Sequence, residues 1–170
     1  MSWLEPIFDR TAQDIENVKM LIQTIQSSGW SSLSEEQKQQ FLGELRGTLS
    51  KETLERIVNN MYYLESRLFE HGYYPKIPTR LKNEWNLKEV PTLVQLTQLC
   101  EDLQQLVDCF YSVTREIPDD MSFVDFQKVN DMEKVEWDIN DGLDKIDAHK
   151  LYCGQPYCGQ TVVGGLLYAR

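Results

Sequence analysis

The segment KETLERIVNNMYYLESRLFE, residues 51–70, decides the fold class of this chain. Its apolar residues recur every three or four positions, the spacing that places side chains on one face of an α-helix. Ser50 precedes the segment as a candidate N-cap, and Gly72 follows it as a candidate C-terminal stop. The predicted helix has one buried stripe, which consists of Leu54, Ile57, Met61, Leu64 and Leu68.

Two shorter helices are predicted before this segment. Thr11 opens the first, with Asp14 three residues later as in a capping box, and Gly29 ends it. Its expected apolar stripe is Ile15, Val18, Ile22 and Ile25. Ser34 opens the second helix, with Gln37 in the equivalent position. The residues expected to face inward there are Phe41, Leu42 and Leu45.

Two more helices are predicted after a stretch that contains prolines at positions 75, 78 and 91. Thr92 opens the first of them, with Gln95 in the capping-box position, and a wide apolar face extends over residues 93–110. Either Ser122 or Asp125 opens the last helix. Its expected stripe is Phe126, Val129, Met132, Ile139, Leu143 and Ile146.

These patterns predict an all-α fold in four parts. Residues 1–72 form an N-terminal helical unit, and residues 73–91 form an ordered linker bounded by prolines. Residues 92–148 form a C-terminal helical hairpin, and residues 149–170 form an extended, strand-like arm. We therefore expect a helical bundle of two helical-hairpin units of similar construction, followed by the arm.

Charge and hydropathy limit the classes of partner. The 170 residues carry a formal net charge of -10, and an acidic field repels phosphate backbones, so we expect no nucleic-acid binding. No apolar run approaches the roughly 20 residues that span a bilayer, so we expect that the protein has no membrane partner. The opening residues MSWLEPIFDR lack the basic and apolar regions of a signal peptide, which favours folding in the cytosol of the producing cell.

No motif for catalysis or cofactor binding emerges from the sequence. Carboxylates crowd the last predicted helix at Glu133, Glu136, Asp138, Asp141, Asp144 and Asp147. Neither His71 nor His149 completes the Glu-x-x-His step of a di-metal bundle, so we expect a solvated acidic face. Phosphate loops and nucleophile elbows are also missing from the sequence. We predict a protein that is not an enzyme and uses no metal or cofactor.

The four cysteines fall into two pairs. Cys100 and Cys109 lie inside an apolar helical pattern and are expected to be small core residues. Cys153 and Cys158 are too far apart for a Cys-x-x-Cys redox motif. A disulfide between Cys153 and Cys158 under oxidising conditions is one alternative that the sequence leaves undecided. A zinc site formed together with His149 is a further, less favoured interpretation.

The final segment LYCGQPYCGQTVVGGLLYAR, residues 151–170, differs from the rest of the chain. It has almost no charge, it repeats Tyr-Cys-Gly-Gln, and its β-branched and aromatic residues favour a strand. A terminal strand must pair its backbone groups with a sheet edge of another chain or lie over the helices. We predict a docking arm whose partner-binding residues are Tyr152, Tyr157, Val162, Val163, Leu166 and Leu167.

Short motifs follow one another in a characteristic order over most of residues 1–148. Their residues are Trp3, Pro6, Asp9, Arg10, Thr11, Gly29, Trp30, Leu45, Gly47, Leu54, Ile57, Asn60 and Leu64, followed by the segments VPTLVQLTQL and FQKVNDMEKVEWDI. This order resembles that of virion structural proteins from phages and prophages of Firmicutes-type bacteria. The resemblance implies a tail- or baseplate-associated part of the virion, homo-oligomeric within the assembly and in contact with other tail proteins, with no catalytic residues.

The opening motif, from Trp3 to Thr11, is interpretable as a segment that fastens the start of the chain in place. Asp9 is expected to cap the first helix, and Arg10 is expected to reach a carboxylate. Trp3 and Phe8 are predicted to bind a neighbouring subunit, the alternative being that they cover the end of their own bundle. The resembling proteins often carry a glutamate where this chain has Val58, so an ion pair between that glutamate and the arginine would be missing here.

The sequence supports two functional hypotheses from different classes. The first is a structural component that bridges neighbouring subunits, for example by attaching fibres to a baseplate. The second is a small prophage-encoded adaptor or regulatory protein that binds a host partner through an acidic helical face.

Overall fold

A computed structural model describes residues 2–42, 45–46, 49–77, 82, 84–86, 89–110 and 116–148. These residues form five α-helices and, between the first two, a single 3-10 turn at Trp30–Ser32. The helices are α1 (Ala12–Ser28), α2 (Glu35–Leu42), α3 (Lys51–Glu70), α4 (Leu93–Cys109) and α5 (Phe126–Ala148). The described part of the chain contains no strand, and the all-α prediction is confirmed.

The predicted N-caps are confirmed in the structure. Side chains and backbone exchange hydrogen bonds at the capping positions of the first four helices, which are Thr11, Ser34, Ser50 and Thr92. For α5, the structure decides between the two candidates. Asp125 is the cap, because its Oδ1 accepts the backbone N–H of Lys128 at 2.9 Å.

Gly72 ends α3 and redirects the chain. Its φ of +83° is a conformation that a side chain with a Cβ rarely adopts. The N–H of Gly72 donates to the carbonyl of Phe69 at 3.0 Å, and the N–H of Tyr73 donates to that of Leu68 at 2.9 Å. This pair of bonds is a Schellman motif, which satisfies the last carbonyls of the helix.

Helices α3, α4 and α5 surround a single hydrophobic core. The whole predicted stripe of α3 is buried in it. The principal contributions of the other two helices are Leu96, Leu99, Leu103 and Leu106 from α4 and Val129, Met132, Val135, Ile139 and Leu143 from α5. Residues on both sides of the predicted linker thus share one core, so residues 73–91 do not separate two independently packed units.

Helix α5 runs in the same direction as α3. Arg56, near the start of α3, pairs with Glu133, near the start of α5. Arg67, near the end of α3, pairs with Asp144, near the end of α5, at 2.6 Å. The two ion pairs follow the same order along α3 and along α5, so the two helices are parallel.

Helix α4 contacts α3 near both of its ends. Leu96, near the start of α4, lines a small cavity together with Leu54, near the start of α3. Phe110, just after α4, packs edge-on against Tyr73, just after α3, with ring centroids 5.6 Å apart.

Helices α1 and α2 lie outside this core and bury little. The buried apolar residues here are Val18 and Leu21 of α1 and Leu33 between the helices. The predicted stripes are wrong at Ile22 and Leu42, which are exposed. Leu21 and Ile22 are adjacent in sequence, and helical periodicity alone does not determine which of two neighbours faces inward.

Candidate functional site

Buried polar side chains gather where the N-terminal segment, residues 2–10, crosses α3 and α5. They are Arg10, Thr53, Arg56, Asn60, Asn130, Glu133 and Glu136. Buried charges are costly unless they are paired and hydrogen-bonded, so their presence at one contact marks it as a candidate functional site.

Glu133 is the centre of this network and is fully buried. Its Oε2 accepts a hydrogen bond from Arg10 Nη1, and its Oε1 accepts one from Arg56 Nε. Two guanidinium groups from different segments therefore share one carboxylate through charge-assisted hydrogen bonds. The prediction that Arg10 reaches a carboxylate is confirmed. The carboxylate belongs to α5, and the α3 position of Val58 is part of the apolar core.

The predicted solvated acidic face is wrong for Glu133 and Glu136, both fully buried. The sequence contained the signal for Glu136, because this residue lies on the helical stripe between Met132 and Ile139. The other carboxylates of the predicted face are paired with cations: Asp138 with Lys134, Asp141 with Lys145, and Asp144 and Asp147 with Arg67.

Two asparagines hold the backbone of the N-terminal segment. Asn60 Nδ2 donates to the carbonyl of Leu4 at 2.8 Å, and Asn60 Oδ1 accepts the N–H of Leu4 at 3.0 Å. Asn130 makes the same pair of bonds with Arg10, at 2.9 Å and 3.2 Å. Each side-chain amide therefore satisfies both backbone groups of one residue, as a neighbouring strand would. The segment is fastened at two points, one on each helix.

Trp3 and Phe8 lie against their own bundle. Trp3 packs on Tyr63 of α3, with ring centroids 5.5 Å apart. Phe8 packs on Trp137 of α5 at 5.9 Å, and the ammonium of Lys134 lies 3.8 Å from the Trp137 ring centroid. Both predicted anchors are half-buried, as the alternative of bundle-covering residues implies. That they also bind a neighbouring subunit stays a prediction.

Asp9 does not cap α1, contrary to expectation. The cap is Thr11, whose backbone is extended and whose N–H donates to Asp14 Oδ2 at 2.7 Å. Asp9 instead forms an exposed ion pair with Arg46. Such pairs contribute little to stability, because water screens them.

The predicted arm residues Tyr152, Tyr157, Val162, Val163, Leu166 and Leu167 lie outside the described residues, as do His149, Cys153 and Cys158. Cys100 is confirmed as a buried residue, with its sulfur 4.0 Å from that of Met132. Burial raises the pKa of Cys100 to about 11, so this thiol stays protonated at neutral pH. Cys109 is half-buried. The described part of the chain holds no cluster of three or more metal-ligating side chains.

Comparison of the chain with protein-family models, with curated proteins and with solved structures gives no match. Across the described residues, no helix combines the length and apolar character that crossing a membrane requires. The candidate functional site is the lock, defined as the N-terminal segment together with Asn60, Asn130, Glu133 and Arg56.

Glu136, one turn after Glu133, lies in surroundings that favour its neutral form. Burial is the main cause that raises the pKa of Glu136 well above 4.5, and the negative charge of Glu133 raises it further. The amide of Asn60, whose Nδ2 lies 3.4 Å from Glu136 Oε2, and the charge of Arg56 oppose the shift. The burial of Glu136 and the charge of Glu133 one turn away thus both disfavour a negative charge on Glu136.

This arrangement predicts a pH dependence of stability. The unfolded chain loses the Glu136 proton near pH 4.5, while the folded protein keeps it, so the free energy of unfolding should fall as pH rises above that value. The Glu136→Gln variant cannot ionise there. Urea unfolding at about pH 5, 6.5 and 8 should show its stability relative to the unsubstituted protein increasing with pH. Parallel pH profiles of the two proteins would contradict the assignment.

Proposed function

We propose that the protein is a non-enzymatic structural component of a phage or phage-like tail or baseplate, where it bridges neighbouring subunits. The proposal is supported by the contacts that two residues of the resembling motifs make in the structure. Arg10 and Asn60, which belong to the motifs of the resemblance, both fasten the N-terminal segment to the helices. These motif residues therefore have a structural role in the chain itself.

The chemistry of the lock supports an architectural part. Its central ion pair is shielded from solvent, with side-chain exposures of 1% for Arg10 and 0% for Glu133. A buried and neutralised pair offers a substrate no open approach, but it does fix the position of the chain that carries it. A subunit that must present a terminal segment to its neighbours benefits from such a fixed position.

Exposed apolar side chains provide surface for contacts between subunits. The most exposed of the large ones are Leu42, Phe69, Tyr74, Val90, Val94 and Phe123. Exposed apolar side chains that lie together on a surface are typical of protein–protein contact sites. The adaptor hypothesis has less support, because its acidic face on α5 is engaged by Lys134, Lys145 and Arg67.

The proposal is tested by quantitative mass spectrometry of particles purified from the producing strain. We expect the chain at a fixed ratio to known tail proteins, and we expect Arg10→Ala to reduce incorporation strongly by releasing the lock. Glu16→Gln is the matched control, since Glu16 forms an exposed pair with Lys19 on α1 and should incorporate normally. Abundant protein in the lysate with none in the particles would overturn the proposal.

A further inference from the structure

Helices α1 and α2 and the 3-10 turn between them, residues 12–42, form the N-terminal helix pair, which packs separately from the core. Its buried apolar side chains are Val18, Leu21 and Leu33. None of these three belongs to the core that α3, α4 and α5 share, and no described half-buried residue packed on that core comes from the pair. Trp30 of the turn packs edge-on against Phe41 of α2, with ring centroids 5.3 Å apart. The pair therefore has apolar contacts of its own.

A cavity of about 170 Å³ lies between α1 and the start of α5. Ile15 lines it from α1, whereas Leu49, Val124 and Val129 line it from residues that pack against the core or belong to it. Its charged lining residues are Arg10 and Asp125. A gap of this size between apolar side chains leaves them without the van der Waals contacts that would join α1 to the bundle. This face of α1 therefore stabilises the docked position of the pair only weakly.

The chain is firmly held on both sides of the pair. Arg10 precedes α1, is only 3% exposed, and bonds through its N–H and its carbonyl to Asn130. Ser50 caps α3 after the pair, and its Oγ accepts the N–H of Thr53 at 3.3 Å. Thr11, the cap of α1, is exposed although it directly follows Arg10. The boundary between the fixed segment and the weakly docked pair therefore lies between Arg10 and Thr11.

We propose that the N-terminal helix pair opens away from the bundle as one unit while the lock stays closed. Units that bury few apolar side chains open at a lower free energy than the core of the same protein. The hinge lies at the start of α1, because residues at the ends of helices absorb the backbone rotation of such motions. The device lets α1 and α2 move without releasing the N-terminal segment. The inference is independent of the proposed function.

Native-state hydrogen exchange of the full chain, measured amide by amide with NMR, tests the proposal. We expect the hydrogen-bonded amides of α1 and α2 to be at least about 100-fold less protected than those in the middle of α3. The amides of Leu4 and Arg10, which bond to asparagine side chains, should remain protected. Equal protection of α1 and α3 overturns the proposal, as does loss of protection at Leu4 and Arg10 to the level of α1.

A conservative substitution in the core tests whether the pair opens by itself. Ile139 of α5 is fully buried in the core, so Ile139→Val should raise exchange in the middle of α3 by about two- to tenfold. Exchange in α1 and α2 should stay unchanged in the same sample, because opening of the pair leaves the contacts of Ile139 intact. Acceleration of α1, α2 and α3 by one common factor would show that the molecule opens as a single unit, and would overturn the proposal.

Discussion

Replacing Glu133 by glutamine is expected to lower the free energy of unfolding by about 3–5 kcal/mol, the range measured when one partner of a buried ion pair is removed. The change keeps the shape of the side chain and removes its charge. It leaves the guanidinium groups of Arg10 and Arg56 buried beside a neutral amide. Urea unfolding followed by circular dichroism will show the effect as a lower midpoint with an unchanged slope.

Glu136→Gln is the matched control for this prediction. Glu136 lies one turn further along α5, is equally buried and undergoes the same chemical change. Because burial and the charge of Glu133 disfavour the ionised form of Glu136, its replacement should be neutral or stabilising at pH 7. Equal losses in the two variants would show that any glutamine is tolerated poorly at this contact, and would contradict a specific role for the Glu133 ion pairs.

Replacing Asn130 by alanine is expected to lower the free energy of unfolding by about 2–6 kcal/mol. The side chain satisfies both the N–H and the carbonyl of Arg10, and each buried backbone group left unpaired costs about 1–3 kcal/mol. Asn59→Ala is the control on the neighbouring helix, because Asn59 makes one exposed bond to the carbonyl of Ser2. A loss at Asn130 no larger than the loss at Asn59 would contradict the account of the backbone clamp.

Local signals in the sequence predicted the helices well. Ser50, Thr92 and Gly72 act through hydrogen bonds within four residues of their own position, so their roles can be deduced without knowing the fold. The stripe of α3 was likewise predictable, because it repeats at every turn of one helix.

The direction of α4 and the course of α5 were not predictable from the same signals. A capping box marks where a helix begins but not how it is oriented relative to its neighbours. A connection of residues 110–125 is long enough either to turn sharply or to return along the bundle. That the three helices share one core depends on contacts between residues far apart in the sequence.

The lock was predictable only in part. Arg10 belongs to the opening motif and was expected to reach a carboxylate. The identity of that partner was hidden, because Glu133 lies 123 residues further along the chain and is surrounded by other acidic residues. Glutamates are mostly exposed in proteins, and the burial of Glu133 depends on cations that come from other segments.

Backbone hydrogen exchange of the N-terminal segment tests the central claim most directly. The account predicts that the amides of Leu4 and Arg10, both bonded to asparagine side chains, are protected nearly as well as those in the middle of α3. It also predicts that Glu133→Gln increases exchange in residues 2–10 before it affects α3. Exchange of Leu4 and Arg10 at the rate of an unstructured peptide, with α3 still protected, would contradict the lock.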